Sequence, residues 1–192
     1  MTLFWLMSSR PSLRDSIIEV AKLMMISART APKTRGLDDV EIVLVSDREE
    51  LERIARKMEE LSSTLELKFF SRDADNVRRS DAVVLIGVKA SKPKDLDCGG
   101  CGYGGCQEFK NARRIRGKGY SGPSCVLQLI DLGIAVGSAV KTASILNVDN
   151  RIMFSVGVAA LELGILKNSD IALGIPLSAY GKNIYFDRKP KT

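Results

Sequence analysis

The sequence contains no histidine, and this absence removes several functional classes at once. Without imidazole the chain cannot build a Ser-His-Asp triad, use histidine as a general acid or base, or offer histidine ligands to a metal. Aromatic residues are also few, at 6% of the chain, so side chains on which nucleic-acid bases could stack are in short supply. A nucleic acid is therefore not the expected partner.

Long uncharged apolar runs are missing as well. The apolar start of the chain, MTLFWLM, is too short for a signal peptide or a membrane span. The apolar run from Val126 to Asn147 is interrupted by Asp131 and Lys141, which favours a core helix over a transmembrane one. We therefore predict a cytoplasmic protein with no membrane contact, built from an N-terminal arm at residues 1–11 and one domain at residues 12–192.

Cysteine is scarce too, and all four cysteines lie within one stretch with the spacing C-x2-C-x4-C-x18-C. Half of the 16 glycines fall in the same stretch. A metal cluster needs several thiolates at one point, and glycine reaches the positive-φ conformations that a tight loop around it requires. Backbone N–H groups of such a loop can also point at the cluster's sulfurs. The pattern predicts a [4Fe–4S] site with Cys98, Cys101, Cys106 and Cys125 as ligands.

Three other states of these cysteines stay open at this point. Two disulfides are possible by count, although thiols stay reduced inside most cells. Four thiolates can also hold a structural zinc ion, but the glycine content is higher than tetrahedral zinc needs. The last alternative is four unliganded thiols.

The segment from Asp97 to Phe109, Asp-Cys-Gly-Gly-Cys-Gly-Tyr-Gly-Gly-Cys-Gln-Glu-Phe, resembles the cluster segment of the iron–sulfur B components of electron-transport complexes. It is also similar to the cluster segment of corrinoid iron–sulfur proteins. In those families four cysteines hold one [4Fe–4S] cluster. The stretch before Cys125 is longer here than in those families.

Basic residues follow the third cysteine, and the net charge of the chain is +6. We predict that these cations either dock an acidic redox partner protein or screen the charge of the cluster, with a merely solvated surface as the plain alternative. The first functional hypothesis is an iron–sulfur protein that transfers electrons. The second is a zinc-stabilised binding module that uses residues 107–118 to hold a protein or nucleic-acid partner.

Hydrophobic periodicity and turn residues give the expected elements. Helices are expected at Ser12 to about Arg29, at 47–62 with Asp47 as the cap, at Cys106 to about Arg116 and at Val126–Asn147. Strands are expected at Val40–Val45, Leu65–Phe70, Ala82–Val88, Asp170–Leu177 (ending at Pro176) and Asn183–Phe186. Residues 71–80 are expected to be polar surface, and residues 151–163 fit either a helix or a short strand followed by a helix.

Two groups of motifs resemble the nitroreductase-like flavin fold. The first is Ser27-Ala-Arg-Thr-Ala-Pro32 with Val43-Leu-Val-Ser-Asp-Arg48; the second is Asp131-Leu-Gly-Ile-Ala with Gly174-Ile-Pro176. The resemblance implies an α+β protein, a nitroreductase-like sheet flanked by helices, with a cysteine-rich insertion at about 91–125. Nearly the whole chain after residue 12 also resembles a family of ferredoxin-domain proteins of archaea and anaerobes.

The flavin-fold resemblance implies a homodimer with FMN at the subunit interface, and an FMN-dependent oxidoreductase if the protein is an enzyme. Carried onto this sequence, the flavin would contact Arg29, Lys33 and Arg35 in the loop up to Gly36, and Lys182 or Arg188 near the end. The Arg-Arg-Ser type motif that grips the phosphate in nitroreductases is absent. We expect the small-residue face around Gly133 and Gly137 to lie near the twofold axis.

Overall fold

The computed structural model describes residues 13–187, which form a mixed arrangement of helices and antiparallel strands. The helices are α1 (Leu13–Thr30), α2 (Arg48–Thr64), α3 (Phe69–Arg78), α4 (Cys106–Asn111), α5 (Val126–Ile145) and α6 (Phe154–Glu162). The strands are β1 (Val40–Val45), β2 (Ala82–Val88), β3 (Ile115–Arg116), β4 (Ser121–Gly122), β5 (Asp149–Asn150) and β6 (Ile171–Ser178). The predicted arm at residues 1–11 and the position of Ser12 lie outside the described residues.

Four strands form the main sheet in the order β1-β2-β6-β5, and every pair is antiparallel. Leu85 of β2 lies opposite Val43 of β1 on one side and Gly174 of β6 on the other. The small β3–β4 hairpin stands apart from this sheet. β2 is buried along its whole length, as predicted, whereas β1 is an edge strand whose middle residues are only partly buried.

β2 contributes side chains to both hydrophobic cores because successive side chains of a strand point to opposite faces. Val84 and Ile86 join the core formed with α1 and α5, and Val83 and Leu85 join the core formed with α2, α3 and α6. The sheet therefore lies between two helical layers.

The layer on the second face comes very close to the sheet at Gly157 of α6. A Cβ atom at this position would lie 1.9 Å from the carbonyl oxygen of Ala172 in β6. Only glycine permits that contact, so this single residue determines how closely α6 can approach β6.

α5 is long and apolar enough to cross a membrane by length and composition, with a mean hydropathy of 1.4. Core helices of globular proteins share this length and composition. The helix contacts the first core through Leu132, Ala135 and Ala139, and Asp131 is buried in an ion pair with Lys94. We interpret α5 as a core helix.

The strand predicted at Leu65–Phe70 is wrong. Glu66 adopts a positive φ of 57°, and α3 begins at Phe69. Phe70, Ala74 and Val77 are buried with the spacing of a helix face, and they pack in the core that α2 shares. The segment that was expected to be polar surface after Phe70 is thus an amphipathic helix.

Three further boundaries differ from the prediction. α4 ends at Asn111 instead of near Arg116, because the chain turns into the β3–β4 hairpin. Residues 183–186 form turns instead of a strand, since the adjacent side chains of Ile184 and Tyr185 are both buried. β6 continues past Pro176 to Ser178. Residues 151–163 follow neither alternative in full: β5 ends before them at Asn150, Met153 makes only an isolated bridge to Gly174, and α6 covers Phe154–Glu162.

Candidate functional site at the cysteine loop

The cysteine loop leaves the sheet just beyond the end of β2 and returns at the start of α5. Four residues in its first part have positive φ: Asp95 at 51°, Asp97 at 46°, Gly99 at 69° and Gly102 at 86°. The loop is therefore tightly curled where its first two cysteines lie, and a tight curl is what ligands converging on one point require.

The four thiols differ in exposure. Cys98 is exposed, Cys101 and Cys106 are partly buried, and Cys125 is buried. The Cys125 N–H donates to the carbonyl of Ala90 over 2.8 Å, which fixes the start of α5 against the end of β2.

The loop between the first two cysteines packs against that same helix start. A Cβ atom on Gly100 would lie 2.6 Å from the Val126 side chain, so only glycine permits this approach. The segments that carry Cys98, Cys101 and Cys125 are therefore neighbours in the fold.

Two carboxylates shape the turn into α4. The Cys106 N–H donates to Asp97 Oδ1 over 2.6 Å, and the Gly104 N–H donates to Glu108 Oε2 over 2.8 Å. An ion pair of 2.7 Å joins Lys110 to Asp95, and this contact raises the pKa of Lys110, with smaller effects from Cys106 and Asp97. The third cysteine therefore has both a carboxylate-anchored backbone and a nearby cation.

The donor chemistry of this loop fits a thiolate-bound metal, since four free cysteines lie on adjoining segments. Within residues 13–187, however, no group of three or more cysteine or carboxylate side chains has the arrangement to hold a metal ion. Ligand type and chain course thus agree with a four-cysteine site, and the convergence of Cys98, Cys101, Cys106 and Cys125 stays a prediction.

Most cations of residues 107–118 are engaged within the chain. Arg114 donates to the carbonyls of Pro123 and Ser121 at 2.5 Å each, Arg116 pairs with Glu162 at 2.5 Å, and Lys118 donates to the carbonyl of Leu65 at 2.7 Å. Lys110 pairs with Asp95, so among the five basic residues of this segment only Arg113 has no such partner within the described residues. These contacts give the basic segment a structural use without any partner molecule.

The cations predicted to contact a flavin from the early loop also make contacts within the chain, and their role toward a flavin stays a prediction. Arg29 contacts Asp38 at 2.5 Å and the Val40 carbonyl at 2.9 Å. Lys33 donates to the Ala28 carbonyl at 2.8 Å and to the Arg29 carbonyl, and Arg35 donates to the Lys94 carbonyl at 2.9 Å. Lys33 is therefore committed to its own loop, whereas Arg29 and Arg35 each use only Nη1 and keep other guanidinium N–H groups.

The second set of predicted flavin residues lies elsewhere. Lys182 is exposed and pairs with Asp187 at 2.8 Å, and Arg188 lies outside the described residues. Lys182 follows the end of β6, which pairs with the start of β2, whereas the early loop precedes β1, whose start pairs with the end of β2. Within one chain the two sets are therefore separated by about the length of β2, roughly 20 Å. Their meeting across a dimer stays a prediction.

A cleft of about 470 Å³ near Lys182 is lined by three arginines and by the carboxylates of Asp75 and Asp187. Arg72 pairs with Asp73 and Arg151 donates to the Tyr185 carbonyl, whereas the Arg79 guanidinium has no hydrogen-bond partner among residues 13–187. Asn76 also lines it; its side chain is only 7% exposed and has no partner in the described part of the chain. No local pattern in the sequence indicates this cleft, because its residues come from distant segments.

Sequence reasoning also missed a buried polar group beside the cysteine loop, which we name the Lys94 cluster: Lys94, Asp131, Asp39, Gln128 and Thr34. Lys94 is 2% exposed, and its ammonium lies 3.0 Å from Asp131 and 3.1 Å from Asp39. Thr34 donates to Asp131 Oδ1 through its N–H and its hydroxyl, both at 2.8 Å. Burial raises the pKa of Asp39, but hydrogen bonds from Lys94, Lys92 and Gln128 outweigh that effect, so this pKa is lowered.

Comparison with known proteins identifies the family. The model of the family described as uncharacterized protein containing a ferredoxin domain (DUF2148) matches residues 121–188. A relative from Archaeoglobus fulgidus, described only as an uncharacterized protein, is 50% identical over 175 residues, covering 91% of this chain and 93% of the relative. The chain belongs to this ferredoxin-domain family. The part matched by the family model includes Cys125 and α5, and the other three cysteines precede it.

Solved structures similar to this family member include a flavoprotein and nitroreductases. A BluB-like flavoprotein from Clostridium difficile has a TM-score of 0.58 at 14% identity, covering 91% of this chain and 84% of that one. An FMN-dependent nitroreductase from the same species has a TM-score of 0.53 at 13% identity, covering 85% and 76%. Such low identities show the fold alone. They confirm the predicted nitroreductase-like combination of helices and sheet.

Proposed function

We propose that this ferredoxin-domain protein carries a [4Fe–4S] cluster on Cys98, Cys101, Cys106 and Cys125 and transfers electrons. The observation that carries the proposal is the tightly curled glycine loop, packed through Gly100 on Val126 beside Cys125. All four cysteines of the sequence lie on these adjoining segments.

A bound cluster supplies one-electron redox chemistry. The chain's own residues hold and shield the ligands: Asp97 fixes the backbone of Cys106, and the start of α5 keeps Cys125 away from water. Lys110, beside Cys106, would offset negative charge on the thiolates.

The test is the metal content of protein purified without oxygen. We expect broad brown absorption with about four iron and four sulfide ions per chain, and loss of the absorption in each single Cys→Ser variant. Stoichiometric zinc without iron would instead favour the zinc-stabilised module, although the internal contacts of residues 107–118 do not favour its use of that segment for a partner.

For the flavin, we propose that an FMN phosphate uses the cleft lined by Arg72, Arg79 and Arg151 instead of Arg29, Lys33 and Arg35. The support is the Arg79 guanidinium, which is unpaired within residues 13–187, since guanidinium groups bind phosphate by paired hydrogen bonds. Lys182 and Arg188 remain candidates for binding the same phosphate. Asp187, which pairs with Lys182 and precedes Arg188 in the chain, lines the cleft.

Anaerobic titration with FMN tests this assignment. Arg79→Gln should weaken quenching of flavin fluorescence about tenfold, and the matched variant Arg35→Gln should leave it unchanged. The reverse result would move the site to the early loop. Absence of quenching in the unaltered protein at about tens of micromolar FMN would rule out a physiological flavin site.

Three further properties belong to the proposal. A homodimer would cover the exposed apolar side of α5, where Ile130 is 47% exposed and no described atom lies within 4 Å of a Cβ atom built on Gly133 or Gly137. An acidic redox protein remains the proposed partner, with Arg113 as the cation still available to it. The proposed location is the cytoplasm, where thiols stay reduced.

A further inference from the structure

The Lys94 cluster joins the two chain segments that carry the cysteines. Lys94 lies four residues before Cys98, and Gln128 lies three residues after Cys125. Gln128 Nε2 donates to the Lys92 carbonyl at 3.2 Å and to Asp39 Oδ2 at 3.1 Å, so α5 is bonded directly to the linker that enters the cysteine loop.

The ammonium of Lys94 completes this connection. Its three contacts are Asp131 in α5, Asp39 before β1 and the carbonyl of Leu37, which lies 3.0 Å away. The ammonium donates hydrogen bonds to Asp39 and to the Leu37 carbonyl and forms an ion pair with Asp131, so its partners come from two other parts of the fold. The position of the linker is therefore fixed relative to α5 by buried charge.

Stability alone does not explain such a group. A buried ion pair is often matched or exceeded in stability by apolar residues of similar volume. This one also leaves acceptors unsatisfied within the described part of the chain: Gln128 Oε1 is buried without a partner, and Asp131 Oδ2 accepts no aligned hydrogen bond although Lys94 lies 3.0 Å away. In some proteins, buried charged groups fix a single geometry that apolar groups leave unspecified.

We propose that Lys94 and Asp131 are positioning residues that hold the loop bearing Cys98, Cys101 and Cys106 against Cys125 before any metal binds. The part of this inference that concerns iron rests on the proposed function. The part that concerns the position of Cys125 does not.

The test uses a variant that removes both charges together. Lys94→Met with Asp131→Leu leaves no unpaired buried charge, so the chain should still fold. Lys92→Met is the matched control, because Lys92 also pairs with Asp39, at 3.2 Å, but its side chain is 61% exposed. Gln128→Leu is the second variant: it removes the bonds from α5 to the linker without leaving a charge unpaired.

The first measurement is the alkylation rate of each cysteine in metal-free protein, followed by mass spectrometry. We expect Cys125 to react about tenfold faster in the double variant, with exposed Cys98 unchanged and the melting temperature close to that of the parent. A purely structural role would instead lower the melting temperature and expose all partly buried thiols together.

The second measurement is iron bound per chain after anaerobic reconstitution, where the double variant should retain less than half of the parent's iron. Parental Cys125 alkylation in a folded double variant overturns the inference, whatever the iron content. If the double variant does not fold, Gln128→Leu decides by the same alkylation measurement. If the parent protein binds no iron, the proposed function is wrong, and the alkylation rates still test the positioning role.

Discussion

Replacing Gly157 by alanine tests how closely α6 must approach the sheet. The new Cβ atom would lie 1.9 Å from the carbonyl oxygen of Ala172, 2.4 Å from its carbonyl carbon and 2.9 Å from the Cα of Leu173. These are backbone atoms of β6, which is paired with β2 along seven residues, so they cannot rotate away as a side chain would. To restore ordinary contact, α6 must move outward by about 1.5 Å, since carbon and oxygen approach to no less than about 3.4 Å.

The magnitude follows from two opposing effects. Overpacking a core costs about 1 to 3 kcal/mol, and the required shift places this case at the upper end. Alanine in a helix gains about 1 kcal/mol over glycine. We therefore expect the free energy of unfolding to fall by about 2 kcal/mol, measured by urea denaturation.

Gly133→Ala is the matched control, because Gly133 is also within a helix and a Cβ atom there meets no described atom within 4 Å. It should raise stability by up to about 1 kcal/mol in monomeric protein. Since Gly133 lies on the face proposed for dimerisation, both variants are compared at a concentration where light scattering reports monomer. Unchanged or increased stability of Gly157→Ala would refute the close approach of α6 to β6.

Three other predictions test separate contacts. The pKa of Asp39 is lowered in the folded state, so its carboxylate stabilises the fold above the ordinary pKa of 3.8, and this contribution is lost as the pH falls through the lower pKa of the folded state. Asp39→Asn should therefore flatten the acid limb of a stability–pH curve, and an unchanged limb contradicts this. Ile134→Lys, on the exposed side of α5, should convert the proposed homodimer to monomer in light scattering, whereas the same change at exposed Ile115 should not. Tyr185→Phe removes the hydroxyl that lies 2.9 Å from Ser80 Oγ and should lower the free energy of unfolding by about 1 kcal/mol in thermal denaturation; no loss would mean that this buried contact contributes nothing.

Elements fixed by local chemistry were predictable from the sequence. β2 is a continuous apolar run, and Asp47 caps α2 by accepting from the N–H groups of Glu49 and Glu50, as its position before a periodic segment suggested. The strand prediction for the segment that begins at Leu65 was wrong because alternating Leu, Glu and Lys residues match the pattern of a strand. Its conformation is decided by Phe70 and Ala74, which pack in the core beside α2.

The candidate site was predictable only in its cysteines. Lys94 resembles an ordinary surface lysine beside Pro93 in a linker, and nothing local shows that it is buried. Its partner Asp39 is 55 residues away in the chain, and Asp131 belongs to a helix that follows the whole cysteine loop. Arg29 and Lys33 differ from Lys94, because their partners lie within 11 residues in the chain; the conformation of the loop decides those contacts, and the sequence pattern does not show it.

The central pairing of the sheet has a consequence for synthesis on the ribosome. β2 and β6 pair directly, yet β6 begins at Ile171, long after β2 ends at Val88. At about 5 to 20 residues per second, several seconds separate the emergence of the two strands. Cys98, Cys101, Cys106 and Cys125 all emerge within that interval, before β6 can cover the inner edge of β2. The nascent chain therefore presents all four thiols while the two cores are still open, and the edge of β2 that pairs with β6 stays uncovered until β6 arrives.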